Sequence, residues 1–415
     1  MLYTLKTHMQ EFKEIYNWIK SNDRFPEDFN VSTLPSPSFI SNGKELVSFS
    51  TNNYLGLSSD PAMIESAVVG LKKYGVGNCE SRLLGGDLDI YRELEAKLAE
   101  MKQKESAIML ATGYLTNLGI LSTLPKASQI CRAYGYRSQK TYNHMFFSDE
   151  FNHISIREGI RMSGCPKVTY RHCDLDHLES YLKKYDDYIK IIVTDGVFSQ
   201  DGDIAPLPEL VQLAEKYNAI LYVDDAHGTG VLGKNGGGIS EHFNCYSPNM
   251  IHMGTLSKAY GALGGFIATE KYVTDILKYT CSSYGFTSTI PPDQAYAIIT
   301  AMDMIKNQPE RRQQLWDNQR YFVEHITKME YHLLSTQTPI MPIHIGDERV
   351  CQELSSLLHK EGIHIDAIMY PAVKMHSSRL RVMVNAKHTK EQIDKLLSIL
   401  DSYKNKITHP VLSAS

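Results

Sequence analysis

The sequence predicts an α/β fold: a mostly parallel central sheet with helices on both faces, followed by a smaller α+β domain at the carboxyl end. Two observations carry that expectation. From about residue 76 to 270, short, nearly continuous apolar runs alternate with segments of helical periodicity, the pattern of strands buried on both faces and their crossover helices. Residues 271–332 are then mainly helical, and the remainder mixes short strands and helices. These shifts suggest an amino-terminal segment over 1–58, a large domain over 59–304 and a small domain over 305–415.

The elements follow in order. Met9, Phe12, Ile15, Tyr16 and Ile19 recur at helical spacing, giving an amphipathic lead helix over about 8–22. Asp60 before Pro61 is an N-cap followed by the residue best suited to a first helical position, and Gly75 ends the periodic run, so a helix spans the interval. Ser106–Leu110, Met145–Ser148, Ile189–Thr194, Ile220–Asp224, Met250–Met253 and Gly265–Thr269 read as strands, with helices near 154–162, 174–184 and 207–217. A closing helix is expected near 390–403. In such sheets functional groups collect at the carboxyl ends of strands, and Asp224 stands there, after Ile220-Leu221-Tyr222-Val223.

Composition narrows the function classes. A hydrophobic content of 42% with 22% charged residues is that of an ordinary globular protein, and a net charge of −4 gives no reason to expect nucleic acid as partner. No apolar run approaches the roughly 18 to 20 residues of a membrane span. Seven scattered cysteines without CxxC spacing argue for free thiols in a reducing compartment and against a disulfide frame or a zinc site. The first residues show no basic segment leading into an apolar one, so no secretory signal is expected and the chain reads as cytoplasmic.

Chemistry concentrates in two segments. Val223-Asp224-Asp225-Ala226-His227-Gly228 precedes Gly254-Thr255-Leu256-Ser257-Lys258-Ala259, joining an acid, an imidazole and an amine. A lysine amine forms a Schiff base with an aldehyde cofactor and later moves protons. A carboxylate against a pyridinium nitrogen keeps the ring of pyridoxal 5'-phosphate (PLP) protonated, so that it works as an electron sink. In Ala111-Thr112-Gly113-Tyr114 a strand feeds a helix through glycine, and amides at that helix start suit a phosphate dianion. Alternation along Arg379-Leu380-Arg381-Val382 puts both arginines on one strand face, so periodicity does not choose between them as a carboxylate clasp.

Further segments complete a pattern: Asn52-Asn53-Tyr54-Leu55-Gly56-Leu57, Ser148-Asp149-Glu150-Phe151-Asn152-His153, and Asp195 through Asp203 around Ser199. In this order and spacing, from about Phe49 to Leu400, the chain resembles the α-oxoamine synthases, fold type I PLP-dependent transferases. The resemblance implies that Lys258 holds PLP, that Asp224 pairs with its ring nitrogen, and that His227, with Ser199 close by, bonds near its phenolic oxygen. It implies that His153 stacks on the ring and that Thr255 adds a hydroxyl to the phosphate. Arg381 is favoured as the carboxylate clasp, with Asn52 in the same pocket. Phe286-Thr287-Ser288-Thr289 resembles the family segment that reaches the phosphate of a neighbouring subunit, which implies a homodimer with shared sites.

The implied reaction condenses a small amino acid (glycine, alanine or serine) with an acyl-CoA thioester, releases CoA and carbon dioxide, and yields an α-amino ketone. Other fold type I reactions (transamination or a lyase step) and a non-catalytic partner subunit are the alternatives. Two features depart from the family. Glu80 stands where members carry a small residue, either narrowing the acyl channel or facing solvent. Residues 126–143 are longer than the usual link, either a surface loop or part of the acyl-CoA entrance. The amino-terminal arginine that holds a dicarboxylic acyl chain in some members has no clear counterpart beyond Arg24.

Overall fold

The computed structural model describes residues 2–22, 29–34 and 37–408, with side chains described between 9 and 404. Seven strands form the central sheet in the spatial order Ser106–Leu110, Gly265–Thr269, Met250–Thr255, Ile220–Asp224, Ile189–Asp195, His144–Asp149, Lys167–Tyr170. Gly265–Thr269 runs antiparallel to both neighbours; the other pairings are parallel. All six expected strands form. The seventh, Lys167–Tyr170, escapes the apolar-run criterion because it is short, starts with lysine and lies at the sheet edge, only partly covered.

Alternate residues of each strand feed opposite layers of core. Ile108, Leu110, Phe146 and Tyr222 pack on one face of the sheet, and Ala107, Met109, Phe147 and Val223 on the other. This two-sided burial is the physical reason the strands read as apolar runs. The crossover helices are Ile154–Ser163, Leu175–Lys184 and Leu207–Lys216, and the long helices Pro292–Asn307 and Pro309–Lys328 follow the sheet. Asp60 caps Pro61–Tyr74 by accepting a hydrogen bond from the Ala62 N–H at 3.0 Å. That helix lies so close to Pro292–Asn307 that a Cβ on Gly70 would sit 2.8 Å from the Asp293 Cα.

Two small sheets lie beyond the central one. Ile340–Gly346, Ser378–Met383 and Asp366–Ile368 form one, and the hairpin Ser38–Ser41/Lys44–Ser48 takes Ile363–His364 as its third strand. The amino-terminal hairpin is thus built into a sheet with the carboxyl-terminal part of the chain. Residues 127–134 coil into short helical turns on the surface, where Tyr134 is largely exposed. Among the described residues, no helix is long and apolar enough to cross a membrane.

Behind the sheet, Lys102 and Asp225 form a fully buried ion pair at 2.7 Å, and Lys102 also donates to Thr229 Oγ1 and the Gly237 carbonyl. The pair fastens the loop that follows Asp224. Removing one member strands a buried charge, so Lys102→Ala is expected to cost roughly 3–5 kcal/mol of stability, read as a lowered urea midpoint. An unchanged midpoint would contradict this account.

Candidate active site

The carboxyl ends of the central strands open on a cavity of about 270 Å3. Asp224, the last residue of its strand, pairs in register with Asp195 on the neighbouring strand, so the two carboxyls lie side by side. Burial, with Asp224 next to it, pushes the Asp195 carboxyl well above the usual range; its Oδ2 accepts from the His153 backbone N–H at 2.7 Å. Asp224 accepts from Asn117 Nδ2 at 2.6 Å and from the Ala226 N–H at 3.1 Å. Tyr222 holds Asn117 from the other side, its hydroxyl donating to Oδ1 at 2.9 Å. Among the described residues Asp224 has no ion-pair partner, so a buried carboxylate faces the cavity awaiting a cationic group.

Lys258 follows the strand Met250–Thr255 on a tight turn, and its Nζ lies 2.8 Å from His227 Nε2. His227 Nδ1 is hydrogen-bonded to the Tyr54 hydroxyl at 2.7 Å. Burial and the neighbouring Lys258 hold His227 well below its ordinary pKa, so the ring is neutral and its single N–H serves one of these two bonds. Burial, countered by Asp224 and reinforced by Arg381, lowers Lys258 to about 8. An amine attacks only when unprotonated, and the unprotonated share grows as pH rises through the pKa. Capture of added PLP by the cofactor-free protein should therefore accelerate up to about pH 8 and level off above it; continued acceleration towards about 10, the range of an exposed lysine, would contradict this environment.

On the opposite wall the helix Gly113–Thr123 begins. Thr112 caps it by accepting from the Leu115 N–H at 3.1 Å, leaving the Gly113 and Tyr114 N–H groups ahead of the helix without intrahelical acceptors. The Thr255 and Ser257 hydroxyls, 2.8 Å apart, stand beside them. Thr255 packs so closely that a Cβ on Gly113 would approach its Oγ1 to 3.0 Å. The Tyr114 ring meets His153 edge-on, with centroids 6.4 Å apart, and His153 Nδ1 is held by Ser155 Oγ at 2.7 Å.

Nine expected residues thus line one cavity: Thr112, Gly113, Tyr114, His153, Ser199, Asp224, His227, Thr255 and Lys258. Arg381 stands just behind it. Its Nε donates to the Ser199 carbonyl at 2.5 Å, it pairs with no carboxylate among the described residues, and its charge reaches both Lys258 and His227. Arg379 is spent on Asp201, an ion pair at 2.5 Å. Geometry therefore separates two arginines that alternation could not. Asn52 lies outside the cavity lining with its Oδ1 buried and unpartnered, whereas Tyr54, two residues on, reaches His227.

Ser288 is not brought to this cavity. It is exposed and bridges to Ser81. Glu80 is exposed beside Gly85, Arg24 falls outside the described residues, and residues 126–143 line neither this cavity nor its neighbour. Asn117, Ser155 and Ser257 were missed. An asparagine inside the apolar helix Gly113–Thr123 was the one available signal.

PLP fits this lining group by group: an amine for its aldehyde, a buried carboxyl with no ion-pair partner among the described residues for its ring nitrogen, and for its phosphate the Gly113 and Tyr114 N–H groups beside the Thr255 and Ser257 hydroxyls, of which Thr255 donates to the Gly264 carbonyl at 3.0 Å. The fold and these groups define a fold type I PLP-dependent transferase. Residues 44–400 match the family model for aminotransferase class I and II. An 8-amino-7-oxononanoate synthase 1 of Bacillus velezensis is 39% identical over 399 residues, 96% of each chain. That of Bacillus subtilis is 38% identical over 386 residues, 93% of this chain and 95% of the relative. A serine palmitoyltransferase of S. paucimobilis, solved with bound PLP, is 26% identical with a TM-score of 0.86, covering 96% of this chain and 99% of that one. The chain belongs to the α-oxoamine synthase family of PLP-dependent enzymes.

Proposed function

We propose that this enzyme condenses a small amino acid (glycine, alanine or serine) with an acyl-CoA thioester of medium or long chain, with loss of carbon dioxide, to give an α-amino ketone. The observation that carries the reading is Arg381, a buried guanidinium without a carboxylate partner among the described residues, beside the amine of Lys258. A second cavity of about 410 Å3 shares His153 and Ser199 with the first; Phe151, Ile154 and Val373 offer it apolar surface for an acyl chain, beside the charged Glu150, Arg157, Lys374 and Arg379.

The residue roles proposed with it are those the family resemblance implies, and the geometry supports them as follows. PLP, when bound, supplies an electron sink that stabilises negative charge at the amino-acid Cα. Arg381 binds the α-carboxylate by its planar fork, oriented by the Ser199 carbonyl. Lys258 Nζ, neutral above about pH 8, takes the Cα proton. Asp224, fixed by Asn117, holds the proton on the ring nitrogen, and His227, fixed by Tyr54, directs its bond towards the ring oxygen. His153 packs on the ring, whereas Asn52, outside the cavity lining, is given no role. Thr112, Gly113, Tyr114 and Thr255 bind the phosphate.

The test follows the visible absorbance of the PLP-loaded protein while glycine, L-alanine and L-serine are added singly, then acyl-CoAs of increasing length. One amino acid should shift the spectrum, and one acyl-CoA should then release free CoA. Amino-group transfer to an oxoacid without CoA release would favour the aminotransferase alternative. A protein that binds no PLP would be the non-catalytic subunit.

We also propose a homodimer in the cytoplasm, where seven free thiols stay reduced. Phe286, 86% exposed next to Ser288, offers apolar surface that a second copy would cover. If Ser288 serves the partner's phosphate, co-expressed Lys258→Ala and Ser288→Ala chains should yield hybrid dimers with one wholly wild-type site, recovering activity beyond either variant alone. Recovery no better than that of the variants, or a monomer by light scattering, would remove the shared site.

A further inference from the structure

His172 takes no part in the chemistry assigned above, yet it joins the two loops that carry it. It follows the edge strand Lys167–Tyr170, and its Nδ1 lies 3.0 Å from Asp149 Oδ1 while its Nε2 lies 2.9 Å from Asp203 Oδ2. Burial works to lower its pKa, but the bonds to Asp149 and Asp203 hold it up at about 12, so both ring nitrogens donate at any working pH. Asp149 opens the turn that leads to His153, and also accepts from the Phe151 and Cys173 N–H groups. Asp203 closes the hairpin of residues 198–203, where the Phe198 N–H donates to its carbonyl at 3.0 Å. That hairpin carries Ser199, the acceptor for Arg381.

The rings around His172 reinforce the link. Phe151 stacks on it with centroids 4.3 Å apart and planes 19° from parallel, and Phe198 meets it edge-on at 4.4 Å. Both phenylalanines line the 410 Å3 cavity. Asp149, His172 and Cys173 place ligand-type atoms within 4.8 Å of one another, as a metal site would. However, the proton on Nδ1 fills that space, and burial pushes the Cys173 thiol up, away from the thiolate a metal needs.

We propose that His172 is a positioning residue for the condensation: by bridging Asp149 and Asp203 it fixes the distance between His153 and the Ser199–Arg381 pair, and hence the seat of the amino acid. The inference rests on the reading of Arg381 as the carboxylate clasp. Glutamine at 172 carries both its donors on one nitrogen, whereas the two carboxylates are held by separate ring nitrogens, so it could not span them as the imidazole does and the two loops would drift apart.

The test measures amino-acid binding by the absorbance change of PLP-loaded wild type, His172→Gln, Asp203→Ala, the double variant of these two, Asp203→Asn and, as a control for stability loss alone, Leu400→Ala in the carboxyl-terminal helix Lys390–Thr408. His172→Gln and Asp203→Ala should each weaken binding by about tenfold, the scale of a sub-ångström misplacement, without altering PLP content. Asp203→Asn, which keeps an acceptor for Nε2, should recover most of it. The double variant should lose no more than one single variant, because both cut one link. Leu400→Ala should lower the melting temperature but leave binding unchanged. Wild-type binding in His172→Gln, or losses that simply add in the double variant, would overturn the proposal; if His172→Gln does not fold, Asp203→Ala decides alone. A wild type that binds none of glycine, L-alanine and L-serine would instead overturn the Arg381 reading.

Discussion

Replacing Lys258 by alanine is expected to lower CoA release by about 10^4-fold or more, because the amine that anchors PLP and the base that moves the Cα proton are the same atom. The protein should still fold. Among the described residues the Lys258 amine forms no ion pair and is hydrogen-bonded to His227, and the turn that carries it is held by backbone bonds such as Gly261 N–H to the Lys258 carbonyl at 2.9 Å. PLP should still enter, held by the phosphate donors and Asp224, but as free aldehyde with a shifted absorbance. A variant that retained a few per cent of wild-type turnover would mean that another amine serves, and no other lysine lines the cavity.

Asp224→Ala should cost about 10^2- to 10^3-fold in turnover, the scale of removing one preorganised electrostatic group from a buried site. The loss should fall on turnover more than on amino-acid affinity, since Arg381 is untouched. Asn117, whose Nδ2 keeps Ser155 Oγ at 2.9 Å but loses its second acceptor, should make the variant less stable as well. Asp224→Asn separates the two effects: it keeps a partner for Asn117 without the charge, so it should recover stability and not rate. Equal turnover in Asp224→Asn and wild type would remove the carboxylate from its assigned role.

Much of this was legible in the chain, for identifiable reasons. The strands declared themselves because burial on two faces leaves no polar alternation, and Asp224 could be placed because strand ends in such sheets collect function. The site residues were legible as motifs because each sits within a few residues of a strand end, where local sequence fixes local geometry. What was lost is what depends on partners distant in sequence. Asn117 matters only because Tyr222 and Asp224 converge on it, and His172 only because Asp149 and Asp203 do. The choice between Arg379 and Arg381 turned on Asp201, nearly two hundred residues away. The edge strand Lys167–Tyr170 was missed because a half-covered strand carries little pattern.

The reversed strand Gly265–Thr269 has a bearing on when the enzyme comes into being. It lies between Ser106–Leu110, which leads to the phosphate-binding helix, and Met250–Thr255, which leads to Lys258; a Cβ on Gly265 would sit 2.6 Å from the Gly113 Cα. The two walls of the cavity are therefore not neighbours in the sheet and acquire their spacing only through a strand made after both. A chain emerging from the ribosome contains Thr112–Tyr114 early, yet the two walls of the pocket are not joined until residues 265–269 have been made and paired with both flanking strands. Capture of the vitamin-derived cofactor is thereby tied to late synthesis, and a truncated chain ending before residue 265 would carry Lys258 but no site in which to use it.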